Sequence, residues 1–210
     1  MSDGRFKSGK TGETTIGGVA RDGYPRHNII DTVTRAQPTI EYEHYTIHNS
    51  FHYFYTDAFS LNATTDANIK EFLIVTPTHV AGAAFAPGCH LHFEAEGSII
   101  TQFDLYEDCT RTAATTDAVT TFNNNRNSTD SAQLKVYTPV ISTTDTADGT
   151  LLYTFKGGTS TAQFRAGDSG DSAQEIVLKK NAKYLMRFTS SSASNLCDLY
   201  LNWYELDAYS

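Results

Sequence analysis

From Thr39 to the end of the chain, apolar and polar positions alternate with a period of two in short runs, the pattern of strands with one face on a core and one in water. The runs predicted as strands are Thr39–Ile47, Ser50–Phe59, Ile69–Thr76, Val80–Phe85, His90–Glu96, Ile99–Glu107, Gln133–Val140, Leu151–Phe155, Gln174–Lys179, Tyr184–Thr189 and Leu196–Leu206, all rich in β-branched and aromatic residues. In the last run Leu196, Asp198, Tyr200, Asn202 and Tyr204 share one face. Cys197, Leu199, Leu201, Trp203 and Leu206 favour the other, with the register drifting near the end. Turn chemistry falls between the runs at Pro87-Gly88, Glu96-Gly97-Ser98, Asp148-Gly149 and Gly157-Gly158, and Asp148-Gly149 is the strongest hairpin signal. No stretch of a dozen residues repeats its apolar positions every three to four, which argues against crossover helices and a parallel sheet. About ten short strands at a spacing near ten residues predict an all-β fold, a two-sheet antiparallel β-sandwich or jelly roll. Thr110–Ser131 and Gly157–Ser172 read as long surface loops, of the kind that meets partners.

Residues 1–38 are different in kind. They hold few large apolar residues at either period and are rich in Gly, Thr and charge, so they read as an extended N-terminal arm preceding a sandwich domain at 39–210. The net charge of −8 conceals an asymmetry: residues 1–35 carry six basic groups against four acidic ones, an excess of +2, which leaves −10 on the remainder. Wholesale nucleic-acid binding by the acidic body is therefore not expected. The 12 Tyr and 12 Phe among 210 residues are enough for a packed core. No apolar run approaches the 18 to 20 residues, roughly, of a bilayer crossing, and Met1–Lys7 contains no secretory apolar stretch, so synthesis in a cytoplasm is expected. Cys89, Cys109 and Cys197 are odd in number and lack C-x-x-C spacing, which fits buried small apolar residues better than disulfides or a zinc site.

Candidate chemistry is sparse. Gly167-Asp168-Ser169-Gly170 matches the nucleophile tetrapeptide of trypsin-like proteases, yet no histidine stands in an Ala-Ala-His-Cys context and Asp171 replaces the usual next glycine, so an acidic turn explains it better. His44, His48 and His52 lie at even positions along two adjoining runs with a bend at His48-Asn49-Ser50, while His90 and His92 share one strand face. Such imidazoles can bind a transition metal, but flanking aromatics favour sheet residues with one ring edge hydrogen-bonded, and no metal or other cofactor is expected. Thr144-Asp145-Thr146-Ala147-Asp148-Gly149 lacks the oxygen ligands of a calcium loop and reads as a hairpin. Asn62-Ala63-Thr64 and Asn127-Ser128-Thr129 match glycosylation sequons and read as turns. Without a base, nucleophile or metal cage, the chain is not expected to be an enzyme.

Several segments taken in order carry a resemblance. They are Val33-Thr34-Arg35-Ala36, His44-Tyr45-Thr46-Ile47-His48, His52-Tyr53-Phe54, Leu73-Ile74-Val75-Thr76-Pro77, Phe122-Asn123-Asn124-Asn125-Arg126-Asn127-Ser128, Ile176-Val177-Leu178-Lys179 and Trp203-Tyr204-Glu205. Together, over most of residues 30–206, the chain resembles small all-β virion structural proteins of tailed bacteriophages. That resemblance implies a capsid decoration or cement protein on the outer head surface, partnered by the major capsid protein or another virion protein and often trimeric. It brings no catalytic residues, and neither nucleic acid nor membrane is an expected partner.

An extended basic arm fits such a role, because it can lie across a neighbouring subunit and be ordered by backbone pairing and apolar burial. The residues expected to contact the partner are Arg5, Lys7, Lys10, Arg21, Tyr24, Arg26, Ile29, Ile30 and Arg35, with Phe6, Ile16 and Val19 adding apolar area. A different reading, a tail or head-fibre module binding a host-surface glycan or receptor, rests on Tyr42, Tyr53, Tyr55, Tyr137, Tyr153 and Tyr200 as stacking area.

Overall fold

The computed structural model describes residues 6–7, 14–19, 25–28, 46–64, 68–78, 87–141, 147–159, 163–167 and 175–207. The chain divides into two units, Met1–Tyr45 and Thr46–Ser210. In the first unit the described segments are three short strands, β1 (Phe6–Lys7), β2 (Thr14–Val19) and β3 (Pro25–Asn28), paired antiparallel in the order β1-β2-β3. The arm therefore satisfies part of its backbone through strand pairing of its own, which its Gly-rich, apolar-poor sequence does not announce.

The second unit opens with a helical turn at 46–48, where an unbroken strand Thr39–Ile47 was expected; 39–45 lie outside the described residues, as does Val80–Phe85. The turn ends with Ser50 in the left-handed region at φ 65, the Phe51 amide donating to the Thr46 carbonyl (2.9 Å) and the Ser50 amide to Ile47 (3.0 Å). This is a Schellman end, with serine where glycine is usual.

Two antiparallel sheets follow. One contains β4 (His52–Leu61), β6 (Pro87–Gly97), β8 (Phe122–Asn123), β11 (Phe164–Gly167), β12 (Ile176–Leu178) and β14 (Asn195–Asp207) in the order β11-β6-β14-β4-β8, with β12 also on β6. The other contains β5 (Ile69–Val75), β7 (Thr101–Glu107), β9 (Lys135–Tyr137), β10 (Thr150–Gly157) and β13 (Lys183–Ser190) in the order β10-β7-β13-β5-β9. From β4 to β7 each strand enters the sheet opposite its predecessor, and β13 and β14 do so again after β12. The rows β4-β14-β6-β12 and β5-β13-β7-β10 that result have jelly-roll connectivity.

Alternation decides which residues meet between the sheets. β14 contributes Cys197, Leu199, Leu201 and Trp203, β6 contributes Leu91, Phe93 and Ala95, and the facing strands supply Phe72, Ile74, Phe103, Leu105, Tyr184, Met186 and Phe188. Phe188 stands edge-on to Phe103 and to Phe59, both at 5.1 Å, and Phe93 lies 5.1 Å from Phe103, so aromatic rings carry the centre of the core. Burying each such ring contributes roughly 1.5–3 kcal/mol. The inward register of β14 does not drift: Glu205 continues it at 6% exposure, whereas Leu196, on the other face, is 63% exposed. A buried carboxylate is tolerated there because Glu205 accepts the amides of Gln133 (2.9 Å) and Leu134 (2.8 Å) and the Trp203 indole N–H (3.1 Å).

Turn expectations fare unevenly. Glu96-Gly97-Ser98 begins the arch that carries the chain from one sheet to the other, and a Cβ on Gly97 would lie 2.1 Å from Thr101 Oγ1. Pro87-Gly88 is the start of a strand rather than a turn. Asp148-Gly149 is not a hairpin between the strands flanking it, because β9 and β10 lie at opposite edges of their sheet. Gly157–Ser172, expected to be loop throughout, contains β11. Thr110–Ser131 is irregular apart from a 3-10 turn at Thr115–Asp117 and β8.

Candidate functional site

The excursion between β7 and β10 folds back over the outer face of the five-stranded sheet. There Cys109 packs with Leu73 and Leu185, joined by half-buried Val75, Tyr106, Ala113, Tyr137 and Val140. Beside this small second core lies a knot of charge. Arg187 of β13 donates to Asp148 Oδ1 (2.8 Å) and Oδ2 (2.7 Å) and to Glu71 Oε1 (2.7 Å), while buried Arg111 pairs closely with Asp148. The two guanidiniums hold the Asp148 carboxyl at about 2, Arg187 foremost, against the upward pull of burial. The knot seats the end of the excursion. Beyond it Gly149 at φ 92 turns the chain into β10, its position so close to Glu107 that a Cβ would lie 2.2 Å from the Glu107 carbonyl oxygen.

On the outer face of the other sheet, the expected pair His90 and His92 do share a face, and two further groups join them. The ring of Tyr204 stacks on His90 at 4.6 Å and stands edge-on to His52 at 6.0 Å. Its hydroxyl donates to Glu175 Oε1 at 2.6 Å, and His90 Nδ1 meets the same oxygen. Burial pulls the Glu175 carboxyl upward, but the Tyr204 hydroxyl and the His90 and His92 rings hold it below its ordinary value. His92 Nε2 stays 3.9 Å from Glu175, and among the described residues no group of three or more His, Cys, Asp or Glu is disposed as metal ligands. Chemically the cluster ties the segment entering β12 to β6 and β14. Sequence spacing exposed the His90–His92 pair; Glu175 and Tyr204 are distant in the chain, and no local signal links them to it.

Most of the other expected site residues fall outside the described residues. Lys7 and Arg26 fall on β1 and β3, whose backbone pairing alone is described, while Arg5, Lys10, Arg21, Tyr24, Ile29, Ile30 and Arg35 lie outside the described residues, as do His44 and Asp168, Ser169 and Gly170. The tyrosines do not make a common surface: Tyr53 and Tyr55 are buried between the sheets, Tyr153 packs on Phe93, Tyr137 joins the second core, and Tyr200 is exposed on the opposite sheet; Tyr42 is outside the described residues. That correction has a simple cause, since tyrosines on strands take whichever face alternation assigns.

What the surface does present is a bare edge. β10 pairs with β7 on one side and with no strand among the described residues on the other, and Leu151 (48%) and Leu152 (43%) on it are exposed. A register shift between Leu151 and Tyr153 bulges the strand at Leu152. Among the described residues no helix is long and apolar enough to cross a membrane. No protein-family model, curated protein or solved structure matches the chain.

Proposed function

We propose that the chain is a structural component of a tailed-phage virion, a decoration or cement protein that lies on the outer head surface, is made in the host cytoplasm and has no catalytic step of its own. The support is the ordered resemblance of segments over most of residues 30–206 together with a stiff jelly-roll body suited to a contact role. The observation that carries the reading is the bare β10 edge. An eight-residue strand with two exposed leucines and no strand beyond it among the described residues is a hazard for a solitary domain and a ready contact for one held in an assembly. The N-terminal arm, whose residues 1–35 carry an excess of two basic groups, is the tether to the major capsid protein or another virion protein, and copies associate with one another, as trimers where the resemblance holds. The test is occupancy: particles assembled with the full chain carry it, and particles offered a chain lacking residues 1–35 do not. Equal occupancy by the truncated chain overturns the proposal.

A further inference from the structure

At the end of the sandwich where the chain enters β4, the left-handed Ser50 pushes Phe51 out of the sheet. The bend is held from behind: Asn123 Nδ2 donates to the Ser50 carbonyl at 2.9 Å, Asn125 Nδ2 to the Ser50 hydroxyl at 3.2 Å, and the Glu205 amide to the Phe51 carbonyl at 2.9 Å. Strain of this kind persists where the surroundings impose it, and here they fix an aromatic ring, 42% exposed, at the rim of a cleft of about 510 Å3. That volume lies within the range of small-molecule sites, roughly 300–1,000 Å3.

The lining is unusual for an apolar ligand. Apart from Phe51 it consists of Ser50, Tyr53, Thr129, Asp130, Ser131, Gln133 and Glu205. Glu205 Oε1 already accepts from three N–H donors, and the side chain braces the floor by pinning the backbone of 133–134 against Trp203. By contrast the Tyr53 hydroxyl, the Asp130 carboxylate and the side-chain polar groups of Thr129, Ser131 and Gln133 make no hydrogen bond to the described residues. Tyr53 stays protonated, its hydroxyl pushed up to about 12 by burial and by the negative charges of Glu205 and Asp130, and so remains a donor. Donors and acceptors therefore converge around one exposed ring.

We infer that this cleft is a binding site for a neutral saccharide, with Phe51 as the stacking platform and Asp130 as the acceptor for sugar hydroxyls. A pyranose has one face of C–H groups, which suits the negative face of the Phe51 ring, and a rim of hydroxyls, which suits the unpaired polar groups. The two carboxylates and the absence of Lys or Arg from the lining exclude an acidic sugar on charge grounds. A quaternary ammonium ligand would call for several rings around the cation, and the lining offers one such platform. The inference does not rest on particle attachment, which is assigned to the N-terminal unit, so either can fail alone.

The experiment is a screen of the full chain on an array of neutral and sialylated glycans. It is followed by amide chemical-shift titration with the best neutral glycan, with sialyllactose and with choline. The expected result is retention of a neutral glycan, shifts confined to 50–53 and 129–133, and a dissociation constant on the order of millimolar. Phe51→Ala and Asp130→Asn each weaken binding about tenfold or more. Both side chains are exposed; should either variant lose its native Trp203 emission, Gln133→Ala at the same rim replaces it. The inference is overturned if no neutral glycan is retained, if shifts appear with sialyllactose or choline instead, or if the rim variants bind as the parent does.

Discussion

Asp148 shows how one carboxylate can hold a long excursion in place. Its folded value of about 2 lies below the ordinary 3.8, so between those limits the unfolded chain takes up the proton first. The stability Asp148 contributes is therefore complete above about pH 4 and is lost as pH falls through 2. Asp148→Asn is expected to lower unfolding free energy by about 2 kcal/mol at pH 7, because buried Arg111 keeps only the 3.9 Å contact with Glu71 among its described ion pairs. Urea titrations should show the gap between parent and variant closing towards pH 2; a constant gap would remove the charge from the explanation. The cysteines are the opposite case, with burial outweighing the cations and hydrogen bonds near them. Burial pushes Cys89 up to about 12 and Cys197 up to about 11, and raises Cys109 as well. All three should resist a disulfide reagent in the native protein and react together on unfolding; a fast-reacting thiol in the folded chain would contradict this.

At the level of elements, the central strand β14 and the edge strand β10 obey different rules. β14 sits between β6 and β4, so its alternation is enforced from both sides, and even Glu205 stays inward because three N–H donors await it. Among the described residues β10 has one neighbour and a bulge, and Leu151, Leu152 and Phe155 on it are left at the surface. Leu152→Lys places a charge where nothing needs to be displaced, so the expected change in folding stability is within about 0.5 kcal/mol. The same change should abolish association through the edge, seen by light scattering as a loss of concentration-dependent mass. An oligomer of unchanged mass would assign the contact to another surface.

For the whole molecule, the division into Met1–Tyr45 and Thr46–Ser210 matters most, since the jelly-roll sheets and both apolar cores belong to the second unit. The single Trp203, fully buried and stacked on Tyr53 at 6.0 Å, reports on that unit alone. Removal of residues 1–35 is expected to leave the Trp203 unfolding transition within about 0.5 kcal/mol of the parent while eliminating particle occupancy. A collapse of the transition would show that the sheets lean on the arm.

Period-two alternation determined the class of fold and nearly every long strand, because burial on a pleated surface leaves its mark residue by residue. It also singled out His90 and His92 as a shared face. Pairing order, the jelly-roll crossings and the end of the Asp148-Gly149 hairpin reading belong to tertiary structure alone, since hydrogen-bonded ladders are blind to side-chain pattern. The same holds for the charge knot at Arg111 and Arg187, the Glu175–Tyr204 contact and the cleft beneath Phe51. Each joins residues dozens of positions apart, and a chain read in one dimension carries no record of which distant polar groups will be brought within hydrogen-bonding distance.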